Sequence, residues 1–292
     1  MVFDLGYKGK VCVVTGAASG MGKALTEILV DLGASVYAVD RVEAPVQGVK
    51  ESVIADLGDR ESVDAAFRQI PDSIDAYFGV AGVSGVHTNF ADTMRINFTA
   101  NKYVTDKYLV DRIAQGGSIS FVTSNGGVRW EDPSVREELI PFAHGGGWDD
   151  LARITDEYEA EFGTIPGTLG YILSKRALNY WIAEQVERFA ELGRVRINAV
   201  LPAMTVSGML PEFAEMKGGQ EAVEADLGPA GRLAEAKEMA QVLVFLGSDM
   251  ASYISGAHIS VDFGMNARTL AGLDPEKLRW TLHGVLSRQP GQ

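Results

Sequence analysis

Cysteine is almost absent from this sequence. Cys12 is the only one, so an intramolecular disulfide is impossible. Its apolar neighbours predict a buried strand position rather than a reactive thiol. Histidine is scarce as well, and His87, His144, His258 and His283 show no metal-ligand spacing. We therefore expect neither a disulfide framework nor a metal centre.

Basic residues are outnumbered by acidic ones. The chain has 26 Lys and Arg against 39 Asp and Glu, which gives a formal charge of -13. Such a balance supplies no basic face for nucleic acid or anionic lipid, so neither is an expected partner. No apolar run approaches about 18 residues, and Asp4 and Gly6 fall where a signal peptide needs an apolar core. We expect a cytoplasmic protein without membrane contacts.

Short apolar runs alternate with segments of helical periodicity along most of the chain. This is the βαβ alternation of a parallel, doubly wound sheet of the Rossmann type. We expect a single α/β domain over residues 1–292 with about seven parallel strands. The strands are expected at 10–14, 35–39, 53–55, 76–80, 118–123, 196–200 and 258–261. The main helices are expected at 21–32, 61–69, 90–114, 169–192 and 235–247.

An irregular stretch at 127–168 interrupts this alternation. It contains Pro133, Pro141 and Pro166 and one charged helical piece at 149–162. The stretch is too long for an ordinary connection of about two to six residues. We interpret it as an insertion that serves as a substrate lid or a subunit contact, with a solvated surface flap as the alternative.

The first strand runs into a glycine-rich turn that opens a helix. Such a turn lets the backbone approach a pyrophosphate closely and leaves helix N-terminal amides to bind the anion. Strand, turn and helix occur in the order that a dinucleotide site requires. The residues expected to bind the cofactor here are Gly16, Ser19, Gly20, Met21 and Gly22.

The ends of the next strands offer further cofactor contacts. Asp40 lies 18 residues after Gly22, where a carboxylate accepts hydrogen bonds from the adenosine ribose and repels a 2′-phosphate. This favours NAD, although the adjacent Arg41 can pair with such a phosphate and keeps NADP open. Ligands bind at the carboxyl ends of strands in these sheets. On that ground the expected cofactor contacts also include Asp56, Leu57, Ala81 and Gly82.

A tyrosine and a lysine at helical spacing are the candidate acid-base pair. Tyr171 and Lys175 are four residues apart and therefore share one helix face. A phenol has a reference pKa of about 10, and a cation about 4 Å away can favour its phenolate by roughly 4 kcal/mol. Tyr103 and Lys107 have the same spacing. Tyr171 is favoured because its helix follows the strand that ends near Ser124.

Two further polar residues complete the candidate catalytic set. Ser124 stands at the carboxyl end of a strand and can donate a hydrogen bond to the substrate oxygen, with Thr123 as the nearby alternative. Asn97 can hold a water that connects Lys175 to solvent. The pattern predicts proton transfer to an alkoxide, as a dehydrogenase of secondary alcohols requires.

These residues resemble the short-chain dehydrogenase/reductase family over nearly the whole chain. The glycine turn, Asn97, Ser124, Tyr171 and Lys175 match its motifs. Three short motifs depart from the family pattern, at 79–82, 202–203 and 262–264. The insertion and the C-terminal pattern at 231–257 are similar to the bacterial 3α-hydroxysteroid dehydrogenase/carbonyl reductases.

The resemblance implies further contacts and a function. It places Pro202, Met204, Thr205 and Ser207 at the nicotinamide. It implies an NAD-dependent oxidoreductase that transfers a hydride between the cofactor and a secondary alcohol or ketone, in a homodimer or homotetramer. By analogy the substrate is bulky and cyclic, such as a hydroxysteroid or terpenoid. The alternatives are an NADPH-dependent carbonyl reductase and a non-catalytic, dinucleotide-sensing regulator.

Apolar side chains also favour a bulky substrate. Trp130, Phe142 and Trp148 in the insertion, together with Met204, Met209 and Leu210, are candidates to cover a hydrophobic ligand. The alternative is that they pack the insertion or a subunit interface.

Overall fold

The computed structural model describes residues 4–275 and 278–287, so both ends of the domain expected over 1–292 fall outside the described residues. Within these ranges the chain forms nine strands, which are β1 (Val11–Thr15), β2 (Ser35–Asp40), β3 (Glu51–Ile54), β4 (Ile74–Gly79), β5 (Ile113–Val122), β6 (Arg196–Pro202), β7 (Thr205–Val206), β8 (Ala234–Glu235) and β9 (His258–Val261). Seven of them form a parallel sheet in the order β3-β2-β1-β4-β5-β6-β9, and β7 pairs with β8. The expected doubly wound α/β fold is confirmed.

Helices cover both faces of the large sheet. They are α1 (Gly20–Asp31), α2 (Arg60–Phe67), α3 (Phe90–Met94), α4 (Ala100–Val104), α5 (Val110–Arg112), α6 (Pro133–His144), α7 (Trp148–Phe162), α8 (Gly167–Glu191), α9 (Leu210–Lys217), α10 (Gln220–Glu224), α11 (Ala236–Gly247), α12 (Met265–Leu270) and α13 (Leu282–Leu286). Two π-helical turns, Arg95–Thr99 and Thr105–Leu109, join α3, α4 and α5 into one helical stretch. No helix in the described part of the chain is both long and apolar enough to cross a membrane.

Strand side chains alternate between two apolar layers. On β1, Cys12 and Val14 face the layer built with α1 and α11, whereas Val13 faces the layer that includes α2 and α8. Cys12 is completely buried, and burial raises the pKa of its thiol to about 12. The thiol is therefore protonated and shielded, as its strand position predicted.

The irregular stretch folds into a two-helix layer. Pro133 occupies the first turn of α6, where its missing N–H costs no hydrogen bond, and the helix continues through Pro141. Phe142 packs edge-on against Phe98 with ring centroids 6.3 Å apart. Trp148 contacts the Tyr103 ring at 5.3 Å. The insertion thus lies against the helical stretch 90–112 and forms part of the larger apolar core.

Some element boundaries differ from the expected ones. β5 begins at Ile113 rather than at Ser118, and its pairing with β4 shifts register between Ile74 and Ala76. The early part of β5 includes Gly116 with φ +72°, so apolar periodicity does not mark it as a strand. Helices α6, α9, α10, α12 and α13 were not expected, because prolines, glycines and charges mask their short apolar faces.

Candidate active site

A large cleft runs across the carboxyl ends of the central strands. Its volume is about 1320 Å³, above the roughly 300–1,000 Å³ of ordinary small-molecule pockets, so it has room for a dinucleotide and a second ligand. Every residue expected at the site except Asn97 lines this cleft. These residues are Gly16, Ser19, Gly20, Met21, Gly22, Asp40, Arg41, Asp56, Leu57, Ala81, Gly82, Ser124, Tyr171, Lys175, Pro202, Met204, Thr205 and Ser207.

The glycine turn is shaped by close backbone approaches. Gly16 has φ +73°, and a Cβ there would lie 2.8 Å from the Ala81 nitrogen. A Cβ on Gly22 would lie 2.1 Å from the Gly16 carbonyl oxygen, so no other residue fits at either position. Ser19 precedes α1 without capping it through its side chain. The first amides of α1 therefore remain available as anion donors, which fits a pyrophosphate.

Asp40 lies directly against this turn. Its Oδ2 accepts a hydrogen bond from the Ala18 amide at 2.9 Å, and its Oδ1 accepts one from the Arg41 amide at 2.7 Å. A carboxylate has about four acceptor positions, so two remain for ribose hydroxyls. The carboxylate charge is thereby fixed at the end of the cleft beside the glycine turn, while the Arg41 side chain is exposed.

Ser124, Tyr171 and Lys175 meet at the other end of the cleft. The Ser124 hydroxyl accepts a hydrogen bond from the Gly126 amide at 2.9 Å and also hydrogen-bonds Tyr171. Lys175 donates from Nζ to the Val122 carbonyl at 3.0 Å, and its Nζ lies 5.7 Å from the Tyr171 ring centroid. The arrangement places a phenol between a hydroxyl and an ammonium.

Burial dominates the electrostatics of this trio. It raises the pKa of Tyr171 to about 12, with the Ser124 hydrogen bond acting in the opposite direction. Burial also lowers the pKa of Lys175 to about 8. The expectation that the lysine brings the phenol pKa below its usual value is therefore not met by these residues alone. A further positive charge at the site is needed to favour phenolate.

Asn97 lies behind the cleft wall rather than on it. It is fully buried in a π-helical turn, and its side chain pairs with both backbone groups of Val83, at 2.8 and 2.9 Å. Its Nδ2 also lies 3.3 Å from the Ser174 hydroxyl. A Cβ on Gly82 would lie 3.1 Å from Asn97 Oδ1 and 3.5 Å from Lys175 Nζ. Asn97 thus shapes the strand end beside the lysine, and its backbone carbonyl is engaged by Asn101.

Thr123, the alternative to Ser124, has a different position. Its hydroxyl donates to the Val200 carbonyl of β6 at 3.3 Å, and its amide donates to the same oxygen at 2.8 Å. The side chain therefore ties two strands together, whereas Ser124 lies beside Tyr171.

The second tyrosine-lysine pair lies outside the cleft. The Tyr103 hydroxyl donates to Asp64 at 2.8 Å, and Lys107 contacts both Asp64 and Tyr103, at 2.9 and 2.6 Å. Tyr108 donates to the same carboxylate at 2.6 Å. These contacts join the helical stretch 90–112 to α2.

Sequence reasoning missed much of the substrate side. Helix α9 contributes Glu212, Phe213 and Met216 to the cleft, and Met265 and Leu278 come from the C-terminal part of the chain. The Phe213 ring lies edge-on to Tyr171 at 5.6 Å. The methionines after Pro202 were the available signal, and Met204 and Met209 do line the cleft. The C-terminal segment gave no signal, because its contacts are distant in sequence.

The expectation that the insertion aromatics cover a ligand is wrong. Phe142 and Trp148 pack in the core, and Trp130 stacks on His258 at 4.6 Å. None of the three lines the cleft, and neither does Leu210, the first residue of α9. Only the start of the insertion, at Val128 and Arg129, reaches the cleft wall. The packing alternative therefore describes these aromatic side chains.

Two family models match the chain. Residues 10–133 match the model described as short chain dehydrogenase, and residues 153–266 match the one described as enoyl-(acyl carrier protein) reductase. The unmatched stretch between them falls within the insertion.

Individual relatives extend the match. A coniferyl-alcohol dehydrogenase of Pseudomonas sp. strain HR199 is 33% identical over 88% of this chain and 96% of its own length. A 3-alpha-hydroxysteroid dehydrogenase/carbonyl reductase of Comamonas testosteroni is 26% identical over 88% and 96%. The crystal structure of the 3-alpha-hydroxysteroid dehydrogenase of Pseudomonas sp. B-0831 complexed with NADH aligns with a TM-score of 0.73 and 26% identity. That alignment covers 90% of this chain and 99% of the other.

Proposed function

This chain belongs to the short-chain dehydrogenase/reductase family of NAD(P)-dependent oxidoreductases that act on alcohols and ketones, and we propose that it is an NAD-dependent dehydrogenase of bulky cyclic alcohols. The observation that carries the proposal is the meeting of Ser124, Tyr171 and Lys175 in the cleft that also contains the glycine turn and Asp40.

The chemistry follows from the positions of these side chains. When bound, a nicotinamide cofactor would supply the hydride exchange with the substrate carbon, and its oxidised form would add a positive charge to the site. Ser124 holds the substrate oxygen by a hydrogen bond, and Tyr171 takes or returns the hydroxyl proton. Lys175 stabilises the phenolate through its charge. Met204, Thr205 and Ser207 are proposed to hold the nicotinamide amide, and Asn97 to keep the strand end beside Lys175 in place.

Asp40 supports NAD as the cofactor. Its carboxylate is held by the Ala18 and Arg41 amides at the position where a 2′-phosphate would bring further negative charge. Like charges brought together at a binding site cost several kcal/mol. The exposed Arg41 guanidinium is the feature that favours the alternative, an NADPH-dependent carbonyl reductase.

The substrate side of the cleft supports a neutral, apolar ligand. Apolar side chains from several segments line it, namely Met204, Met209, Phe213, Met216, Met265 and Leu278. The cations there lie against carboxylates: Arg232 pairs with Glu238 at 2.7 Å and Arg268 with Asp274 at 2.8 Å. Lys217 is bonded to Asp226. Charge recognition of an anionic substrate would require breaking such pairs.

A second candidate substrate class comes from the 33% identical relative. That relative is named for coniferyl alcohol, an aromatic primary alcohol. A planar aromatic alcohol also suits a methionine-rich wall, since thioethers make favourable contacts with aromatic rings.

Assembly as a homodimer or homotetramer and a cytoplasmic location remain predictions from the sequence.

The test is turnover at 340 nm with NAD or NADP, using coniferyl alcohol, cyclohexanol and a 3α-hydroxysteroid. We expect kcat/KM with NAD to exceed that with NADP by at least about tenfold. Asp40→Asn keeps the side-chain size and should reduce this preference. Asp75→Asn is the matched control, because Asp75 accepts the Val11 amide at the amino ends of the strands, far from the cofactor.

Two outcomes contradict the proposal. Preference for NADP by the unmodified protein supports the reductase alternative. Tight cofactor binding without turnover of any alcohol or ketone supports the regulator.

A further inference from the structure

A buried arginine lies immediately after the active-site lysine. Arg176 is only 2% exposed, and its guanidinium donates to three backbone carbonyls. The acceptors are Val128 at 3.1 Å, Trp280 at 2.9 Å and Leu278. The guanidinium also lies 4.8 Å from the Trp280 ring centroid. One side chain on α8 thus holds both the start of the insertion and the C-terminal segment.

Burying a guanidinium costs more free energy than burying an apolar side chain of similar size, so packing alone does not explain Arg176. Burial lowers the pKa of Arg176 to about 10, and a buried charge is destabilising unless its donors are satisfied. The planar guanidinium reaches several acceptors at once, which a lysine ammonium on a flexible stem does not reproduce. The contacts also fix Leu278, whose φ of +59° is unfavourable for a residue with a Cβ. The arginine therefore determines where this backbone lies.

A second anchor holds the same segment from the insertion. The Glu138 carboxylate on α6 accepts the amides of Leu282 and His283 at 2.7 and 2.6 Å. These amides lie at the start of α13, where negative charge is favourable. Leu282 and Leu286 are buried in the larger core. The C-terminal segment, residues 278–287, is thus attached to α6 and to α8.

The anchored segment reaches the substrate side of the cleft. Leu278 lines the cleft, as does Val128, four positions after Ser124. The backbone carbonyls of both residues accept hydrogen bonds from the Arg176 guanidinium. Leu278 is therefore near the Ser124 and Tyr171 end, not at the Asp40 end.

We propose that Arg176 is a positioning residue that holds the C-terminal segment as a wall of the substrate site, and that Leu278 limits the size of the alcohol accepted. This rests on the proposed dehydrogenase function. Arg176 touches neither cofactor nor reacting atoms in this proposal and acts through Leu278.

The size limit is tested by calorimetry in the presence of NADH, with cyclohexanol and a 3α-hydroxysteroid as probes, and by kcat and KM for both. Leu278→Ala should improve binding of the steroid relative to cyclohexanol by about tenfold, because it shortens a side chain in the apolar wall and enlarges the substrate site. Arg176→Lys should change the KM for the steroid by several-fold while kcat stays within about twofold. Unchanged selectivity in Leu278→Ala overturns the assignment.

Anchoring is tested separately by hydrogen exchange on the full chain without alcohol. Arg176→Lys should accelerate exchange in residues 278–287. The matched control is Arg196→Lys, because Arg196 also donates to backbone carbonyls, but those of Leu246 and Ser248 lie outside residues 278–287. It should leave exchange in this segment and the steroid KM unchanged.

The readouts distinguish the possible failures. Unchanged exchange in Arg176→Lys, or equal acceleration by Arg196→Lys, overturns the positioning role. Absence of turnover by the unmodified protein contradicts the proposed function. Calorimetry and hydrogen exchange would still test whether Arg176 and Leu278 hold and form the wall of the site. Should Arg176→Lys fail to fold, Leu278→Ala alone decides the size limit.

Discussion

The chain contains the pattern tyrosine, three residues, lysine twice, and the two copies occupy opposite environments. Tyr171 and Lys175 are buried in the cleft, where burial raises the pKa of the phenol to about 12 and lowers that of the ammonium to about 8. Tyr103 and Lys107 lie beside Asp64. The hydrogen bond to Tyr103 and the nearby carboxylate raise the pKa of Lys107 above its ordinary value.

The comparison shows that the four-residue spacing brings the ammonium near the ring in both pairs, whereas the surrounding fold determines whether the pair can transfer a proton to a ligand. Both pairs bring an ammonium near a ring, at 5.7 Å in the cleft and 4.9 Å at the surface. Helix α8 passes the carboxyl end of β5, where Lys175 donates to the Val122 carbonyl and the buried pair meets Ser124. At the surface, the Asp64 carboxylate neutralises the lysine and disfavours phenolate.

The largest expected difference is in turnover. Tyr171→Phe should reduce kcat by about 10²- to 10⁴-fold, because it removes the proposed proton-transfer group. Tyr103→Phe removes the hydrogen bonds with Asp64 and Lys107, which lie outside the cleft, and should change kcat by less than about twofold. Cofactor fluorescence titration provides the control that Tyr171→Phe still binds NADH. Equal effects of the two substitutions would remove the distinction between the pairs.

The next difference is in pH dependence. Alcohol oxidation needs the phenolate, so its rate should rise with pH, while ketone reduction needs the phenol and should fall. Lys175→Met should move the oxidation midpoint upward by about 2 pH units, as expected for a charge 5.7 Å from the ring. Lys107→Met should leave the midpoint in place. Profiles between pH 6 and 10 measure both, and a shift caused by Lys107→Met would contradict the assignment.

The smallest difference is in stability. The pKa of Lys175 is about 8 in the fold against an ordinary 10.5, so the unfolded chain binds more protons between these values. The cost of burying the charge is therefore present at pH 7 and decreases as pH rises through this window. Lys175→Met should raise the free energy of unfolding at pH 7 by about 1–2 kcal/mol, after the loss of its bond to Val122.

Lys107→Met provides the contrast. Its half-exposed ion pair with Asp64 is expected to contribute less than about 1 kcal/mol, so this substitution should be neutral or slightly destabilising. Urea unfolding of the cofactor-free protein at pH 7 and 9 measures both variants. A destabilised Lys175→Met at pH 7 would show that the lysine contributes to folding rather than opposing it.

The cofactor side was predictable because its requirements are local. Gly16 is imposed by its φ of +73°, Gly22 by the approach of the Gly16 carbonyl within the same turn, and Asp40 follows a strand whose apolar pattern is clear. The order of strands follows from the same alternation. These features depend on neighbours in sequence, where periodicity and turn chemistry carry information.

The substrate side was not predictable for the opposite reason. Leu278 reaches the cleft through Arg176, which is 102 positions away, and no periodicity marks such a pairing. The aromatic residues of the insertion have the composition of a ligand cover, but Phe142 and Trp148 pack against the helical stretch 90–112 instead. Burial also reversed the expected direction for the pKa of Tyr171, and burial depends on the assembled fold.

The labelling rate of the single thiol measures how often the central sheet of this protein opens. Cys12 lies in β1, an interior strand of the sheet, with no exposed surface, and no second cysteine competes with it for a reagent. A thiol-labelling reaction therefore has to wait until β1 separates from its neighbours. Labelling rates of the unmodified chain with and without cofactor thus measure the effect of the cofactor on that separation, without any introduced probe.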